Sequence, residues 1–293
     1  MKQFIGLTTG WRKIEYNWRD MALYALAVGS EPDELEYLFE RDMKAIPSFG
    51  VLPYYNAVNN FPQQPIPYPP NYLLLDAIKR VTDKNVRMGL HAGFEMIMHR
   101  PIDPIKGSLV FNGKVREIYD RGDEEKGIEL VAEQEVHDEA GNLLCTNISH
   151  HFIYGCGGYG GDKAPKFKVD FPDRDPDVVV DGYISKTQNA LYRLTGDTNY
   201  SHIDPEEARK ITDRPFMQGL SSFGFVCRMA IRGVIPKEPE RFKRLYVQMR
   251  SIAYPDTPVQ LQGWIVEEGK MVFKYVDMNT GKAILNNCEF EWD

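Results

Sequence analysis

The stretch Leu194-Thr195-Gly196-Asp197-Thr198-Asn199-Tyr200-Ser201-His202-Ile203-Asp204-Pro205 sets a carboxylate, an amide and an imidazole on one short polar segment. Loops held by rigid elements are where reactive groups gather. An Asp and a His that share one water can take a proton from it and deliver one to carbon. Their ordinary pKa values, about 3.9 and 6.5, straddle the protonation states this needs. That is the chemistry of adding water across a conjugated double bond. Such an addition builds negative charge on a carbonyl oxygen, which a backbone N–H at a helix start can stabilise. Gly219 opens a predicted helix and has no side chain to block close approach. Removing one such donor typically costs ~3 kcal/mol of transition-state stabilisation. The plainer alternative stays open: Asp197 also suits a turn and His202 a surface position. His91, His99, His137, His150 and His151 fall in predicted strands or their turns, where a structural role is expected. No convincing metal-ligand cluster is present.

The elements around this loop follow from periodicity and caps. In the second half a strand is predicted near 178–184 and a helix near 188–194. Residues 195–203 form a loop. Asp204 caps the next helix, with Pro205 at its first position and Glu207 in a capping-box-like arrangement. A longer helix, about 217–233, carries Leu220, Phe223, Val226 and Cys227 on one stripe. Strands near 244–253, 259–267, 270–277 and 283–291 complete it. In the first half Asn17 and Asp20 mark a helix start, Met21 to Val28 a core helix and Glu34 to Met43 a second, charged one. Phe61 to Pro70 holds five prolines and reads as a loop or lid. Strands are predicted near 87–99, 107–119, 127–137 and 143–154.

The halves repeat one plan. Ala22-Leu23-Tyr24-Ala25-Leu26 returns as Ala190-Leu191-Tyr192-Arg193-Leu194, and Arg100-Pro101-Ile102-Asp103-Pro104 is echoed by Tyr254-Pro255-Asp256-Thr257-Pro258. Two copies are too few for a solenoid, so a fused pair is expected: residues 1–154, a Gly/Lys-rich linker 155–175, and residues 176–293. Aligning the Ala-Leu-Tyr helices sets Gly29 opposite Asp197, and no histidine precedes His91. The first copy therefore lacks the constellation and is expected to support the cleft. Gly155-Cys156-Gly157-Gly158-Tyr159-Gly160-Gly161 has G-x-G-x-x-G spacing. Asp162-Lys163-Ala164-Pro165 follows it where a dinucleotide site needs a helix, so a flexible crossover is expected.

Composition sets outer bounds. With 293 residues, 43% hydrophobic and 26% charged, the chain is of globular type. No apolar run reaches the roughly 20 residues of a membrane span. A formal charge of −7 argues against a nucleic-acid partner. An anionic ligand would need a local basic patch, from Arg241, Lys243 and Arg244 or from Lys163, Lys166 and Lys168. Cys145, Cys156, Cys227 and Cys288 are scattered and read as buried or half-buried free thiols. Neither a secretion signal nor a C-terminal peroxisomal tripeptide is evident, which points to the cytoplasm.

Leu191-Tyr192-Arg193-Leu194-Thr195-Gly196-Asp197-Thr198-Asn199, followed by His202-Ile203-Asp204-Pro205, resembles the signature of the hydratase 2 family, the (R)-specific 2-enoyl-CoA hydratases of the MaoC-like group. Tyr24-Ala25-Leu26 with Val28-Gly29, Pro47-Ser48-Phe49-Gly50-Val51, Gly157-Gly158-Tyr159-Gly160-Gly161 and Ser222-Phe223-Gly224-Phe225 extend the likeness over nearly the whole chain. The resemblance implies an α+β double hot-dog, each unit a long helix wrapped by an antiparallel sheet. It implies Asp197, Asn199 and His202 around a water, with Gly219 as oxyanion donor. His91, Ala92, Arg121 and Met249 would contact the CoA ester, as would Thr198, Tyr200 and Ser201 on the loop. Tyr24 and Glu40 would support from the first half. It implies an acyl-CoA thioester substrate, no cofactor beyond that CoA, and a homodimer. Tyr200-Ser201 stands where the family has Pro-Leu, Gln218 where it has His, and Ala92 where it has Gly. These departures leave the reaction class and put straight-chain specificity in doubt; the proline-rich lid also differs from the family's, which brings bulky or branched acyl groups, steroid side chains included, into range. Two other readings fit the same scaffold: a thioesterase, and a CoA-ester binder without turnover.

Overall fold

Asn17 starts the first helix as its spacing predicts. In the computed structural model, which describes residues 1–52 and 70–293, its side chain accepts from the Arg19 amide. The Asp20 carboxylate accepts from the Asn17 amide, completing a capping box. Strand β1 (Arg12–Asn17) leads into this helix, α1 (Trp18–Ala27). The charged helix expected over Glu34–Met43 is instead a single turn, α2 (Leu35–Leu38), and a 3-10 turn, Glu40–Asp42. Phe39 between them is extended, with φ −122° and ψ 121°. Of the apolar residues in that stretch only Tyr37 and Met43 are buried, with Leu38 half-buried at the core's edge, too few positions for a continuous buried face.

Residues 61–69 of the proline-rich segment lie outside the described residues. Pro70 is not loop: it opens α3 (Pro70–Val81), a helix the proline cluster concealed, because proline is tolerated at the first helical position. Leu74 and Ile78, one turn apart, are fully buried against Ile118, Ile128, Leu130 and Ile153. Strands β2 (Arg87–Met98), β3 (Lys106–Asp120), β4 (Ile128–His137) and β5 (Leu143–Tyr154) follow close to their predicted positions. The second half runs β6 (Val178–Ile184), α4 (Gln188–Arg193), a 3-10 turn Tyr200–His202, α5 (Pro205–Ala208) and α6 (Gly219–Val234). It then continues through β7 (Phe242–Met249), β8 (Thr257–Glu267), β9 (Lys270–Asp277) and β10 (Ala283–Trp292).

The ten strands form one antiparallel sheet in the order β1-β3-β4-β5-β2-β7-β10-β9-β8-β6. Its centre is the β2–β7 pair, where Gly93 to Ile97 face Gln248 to Arg244. Each half thus contributes five strands and one wrapped helix, α3 or α6, the double hot-dog that the resemblance implies. The short counterparts α1 and α4 carry the repeated Ala-Leu-Tyr motif, and Tyr24 and Tyr192 approach to 6.3 Å between ring centroids.

Every residue of α6 from Leu220 to Ile231 is buried, more than the predicted stripe. The first half covers its remaining side. A Cβ at Gly224 would stand 2.3 Å from Val28 Cγ1 and 2.9 Å from the Tyr24 hydroxyl, so α1 reaches the helix backbone there. Arg228, mid-helix and 2% exposed, donates to Glu34 Oε2 at 2.7 Å and to the Val28 carbonyl at 3.2 Å. A guanidinium inside the core is tolerable only when paired in this way.

The connection between halves is pinned rather than free, contrary to expectation. Asp120 accepts from the amides of Gly158 at 2.8 Å, Gly160 at 2.8 Å and Gly161 at 3.3 Å. The glycine-rich run therefore holds a carboxylate of its own chain. Beyond it, Phe167 packs on Tyr246, Phe171 on Trp264, and the Trp264 indole donates to the Arg174 carbonyl at 2.8 Å. Trp264 and Val272 alternate with residues facing α6, so this strap lies on the outer face of the second half. One proposed basic patch is neutralised: Arg244 binds Glu95, Glu289 and Glu291, Lys243 binds Asp293, and Arg241 binds Glu238. All four cysteines are buried and free. No helix among the described residues is long and apolar enough to cross a membrane.

Candidate active site

The loop after α4 is shaped by its own short polar side chains. Asp197 Oδ1 accepts from the Asn199 amide at 3.1 Å, and Asn199 Oδ1 accepts from the Ser201 amide at 3.1 Å. Asp204 then caps α5 by accepting from Glu206 at 2.8 Å. Asp and Asn favour such bonds two residues on, and each fixes one turn. The side-chain oxygen of Asn199, an exposed residue, is thus used in holding the 3-10 turn that carries His202. Glu207 makes no capping box; Asp204 alone performs the cap.

Asp197 and His202 are both buried, at 5% and 8% exposure. Burial pushes the Asp197 carboxyl above its usual range, opposed by His202, the Asn199 amide and Arg193. Burial pushes the His202 imidazole down, opposed by Asp197 and the Phe216 carbonyl. The two groups thus share one low-dielectric pocket, each favouring the other's charged form. His202 Nδ1 lies 3.0 Å from the Phe216 carbonyl, which can only accept, so that nitrogen carries the proton and Nε2 keeps its lone pair. The Phe216 ring stands edge-on to the imidazole at 4.6 Å.

Gly219, three residues after Phe216, begins α6 as predicted. A Cβ here would lie 3.0 Å from Met249 Sδ and Cε and 3.6 Å from His91 Nδ1, so Gly219, Met249 and His91 meet at the helix start. The first amides of any helix lack an internal acceptor, and these point along the helix dipole. His91 stacks on His151 at 4.3 Å, and burial drops its pKa to about 3, keeping it neutral. Register shifts in β2 on either side of His91 re-aim it, with half-buried Ala92 at the second bulge.

Thr198 and Ser201 are half-buried and Tyr200 is 64% exposed, placing them on the loop's outer rim. Tyr24 is fully buried, donates to the Ser48 carbonyl at 2.8 Å and contacts Phe49, a core role. Two expected residues are elsewhere. Glu40 is exposed on its 3-10 turn; the buried carboxylate of that region is Glu34. Arg121 stacks 3.8 Å over Phe152. Phe152 alternates with His151 along β5, so Arg121 lies across the sheet from the His91–His151 pair. Asn189 and Tyr72 escaped sequence reasoning, and Gln218 was noted only as a departure from the family pattern. Asn189 donates to the His202 carbonyl at 2.6 Å, and Gln218 donates to the Asn189 carbonyl at 3.1 Å. Tyr72, on the first turn of α3 and 43% exposed, has its phenol pushed up by desolvation and then by the Asp197 charge. Among the described residues no group of three or more His, Cys, Asp or Glu could hold a metal ion.

Comparison with known proteins agrees with this architecture. Residues 14–155 match the MFE-2 hydratase 2 N-terminal domain and residues 168–287 the MaoC like domain. The peroxisomal multifunctional enzyme type 2 of Drosophila melanogaster is 32% identical over 94% of this chain, which spans only 45% of that protein. The probable enoyl-CoA hydratase 2 of Dictyostelium discoideum is 29% identical, covering 94% of this chain and 91% of its own. A MaoC-like dehydratase from Phytophthora capsici superposes with a TM-score of 0.80 at 29% identity, over 97% of this chain and 95% of that one. A hydratase 2 N-terminal domain joined through one sheet to a MaoC-like domain, with a buried Asp–His loop in the second, makes this chain a member of the MaoC-like hydratase 2 family.

Proposed function

We propose that the chain reversibly hydrates trans-2-enoyl-CoA to (3R)-3-hydroxyacyl-CoA, with Asp197 and His202 as its acid–base pair. The observation that carries this reading is the Nδ1 bond of His202 to the Phe216 carbonyl, which leaves Nε2 as acceptor on an imidazole that feels the Asp197 charge. His202 takes a proton from water as its oxygen attacks the β-carbon. Charge moves to the thioester oxygen, where the Gly219 amide receives it. Asp197, whose burial favours its protonated form, gives a proton to the α-carbon. The reverse sequence is dehydration. Residues 1–154 line and support the cleft, 155–175 link the units, and 176–293 carry the reaction. The names of the Drosophila and Dictyostelium relatives support this reading.

Asp197→Asn and His202→Ala test it in the purified chain. Each is expected to lower kcat by 10²–10⁴-fold, the usual range for one acid or base, with circular dichroism unchanged. Loss of enoyl absorbance without release of free thiol identifies hydration; thiol release identifies a thioesterase. Binding without turnover in the unsubstituted chain sinks both. Chiral product analysis reads the (3R) configuration, and light scattering tests the homodimer.

A further inference from the structure

A ring of hydrogen bonds closes behind the Asp–His loop. His202 donates from Nδ1 to the Phe216 carbonyl at 3.0 Å, and two residues on, Gln218 donates from Nε2 to the Asn189 carbonyl at 3.1 Å. Asn189 completes it, donating from Nδ2 to the His202 carbonyl at 2.6 Å. The ring joins α4, the Tyr200–His202 turn and the segment entering α6. All three side chains are buried.

Gln218 occupies the N-cap of α6, yet its side chain does not cap that helix. It reaches across to α4 instead. Its orientation is fixed by its partner, since only the amide nitrogen can donate to a carbonyl. Its Oε1 is buried without a hydrogen-bond partner among the described residues. An acceptor left unmet adds nothing to stability, so this amide serves through its donor. Gln218 and Asn189 both bind main-chain carbonyls, and both act through neighbours. Phe216 and Gly219 are three residues apart on the chain that the ring clamps. The imidazole and the helix-start amide are therefore held by the same fastening.

We propose that Asn189 and Gln218 are positioning residues that lock the His202 tautomer and its placement relative to the Gly219 amide, setting turnover more than ligand affinity. The proposal rests on the reading of His202 as the proton acceptor.

Asn189→Asp is isosteric and turns an acceptor toward the His202 carbonyl. Gln218→Met has similar length and no donor, and carries the test if the first variant fails to fold. In the full chain each is expected to lower kcat about 10–100-fold, as misplacement of a reacting group by about 1 Å does, while KM stays within about 3-fold. With ¹⁵N-labelled histidine, the Nδ1–H resonance of His202, identified by its absence in His202→Ala, is expected to vanish or exchange rapidly in both. An unchanged resonance in folded variants overturns the proposal whatever their activity, as does a loss confined to KM. If the unsubstituted chain does not hydrate enoyl-CoA but the variants lose the resonance, the ring stands and the hydratase reading falls.

Discussion

At the pair Asp197–His202, burial works on both groups in the same direction, toward neutrality. The folded pKa of His202 is depressed, so the imidazole stays unprotonated to lower pH than a free one. The acid limb of kcat/KM is accordingly expected below about 6.5, the ordinary imidazole value; a limb at or above it would remove His202 as base. Asp197 has the opposite sign, its folded pKa raised. The folded state holds that proton more tightly, so stability falls as pH rises through the folded pKa. Asp197→Asn is therefore expected to lose turnover to the extent given above while holding or raising Tm at pH 7, with the Tm difference closing toward pH 4; a Tm clearly lower at pH 7 would contradict the burial argument. The sequence made Asp197, His202 and Gly219 legible because residue type and loop position announce them. Asn189 was not, and Gln218 stood out only as a departure from the family pattern, because each works on a main-chain carbonyl brought near only by the fold.

Elements were legible where local chemistry decides them. The Asn17 capping box and the alternating β9 needed nothing beyond their own residues. The failures have tertiary causes. The α3 helix was hidden by prolines that end at its first turn, and the charged 34–43 stretch broke at Phe39 for want of a continuous apolar face, with Glu34 at its start turned inward to Arg228. That pair gives a second prediction. Glu34→Ala leaves a guanidinium buried and unpaired, and urea unfolding should register a loss of ~3–5 kcal/mol. Combining Glu34→Leu with Arg228→Met should recover most of it. A single-variant loss under about 1 kcal/mol, the level of an exposed pair, would mean the charge finds water.

Across the whole molecule, the repeat announced two units, and the sheet joins them without a seam at β2–β7. Residues 176–293 alone would bare the β7 edge and the side of α6 that Val28 and Tyr24 cover. An open apolar edge of that kind invites association. The isolated half is expected to aggregate on size exclusion and to become soluble when co-expressed with residues 1–175; a folded monomer would show that the halves are independent.

The strap offers a built-in optical reporter. The indole of Trp264, one of four tryptophans, is roofed by Phe171, flanked by the Lys274 ammonium at 5.5 Å and anchored to Arg174. Lifting residues 167–174 would wet that ring while leaving the ladder of strands intact. With the other three tryptophans replaced by phenylalanine, a red shift in emission at urea concentrations where far-ultraviolet ellipticity is still native would mean the covering segment peels first. Coincident curves would mean it melts with the body it wraps.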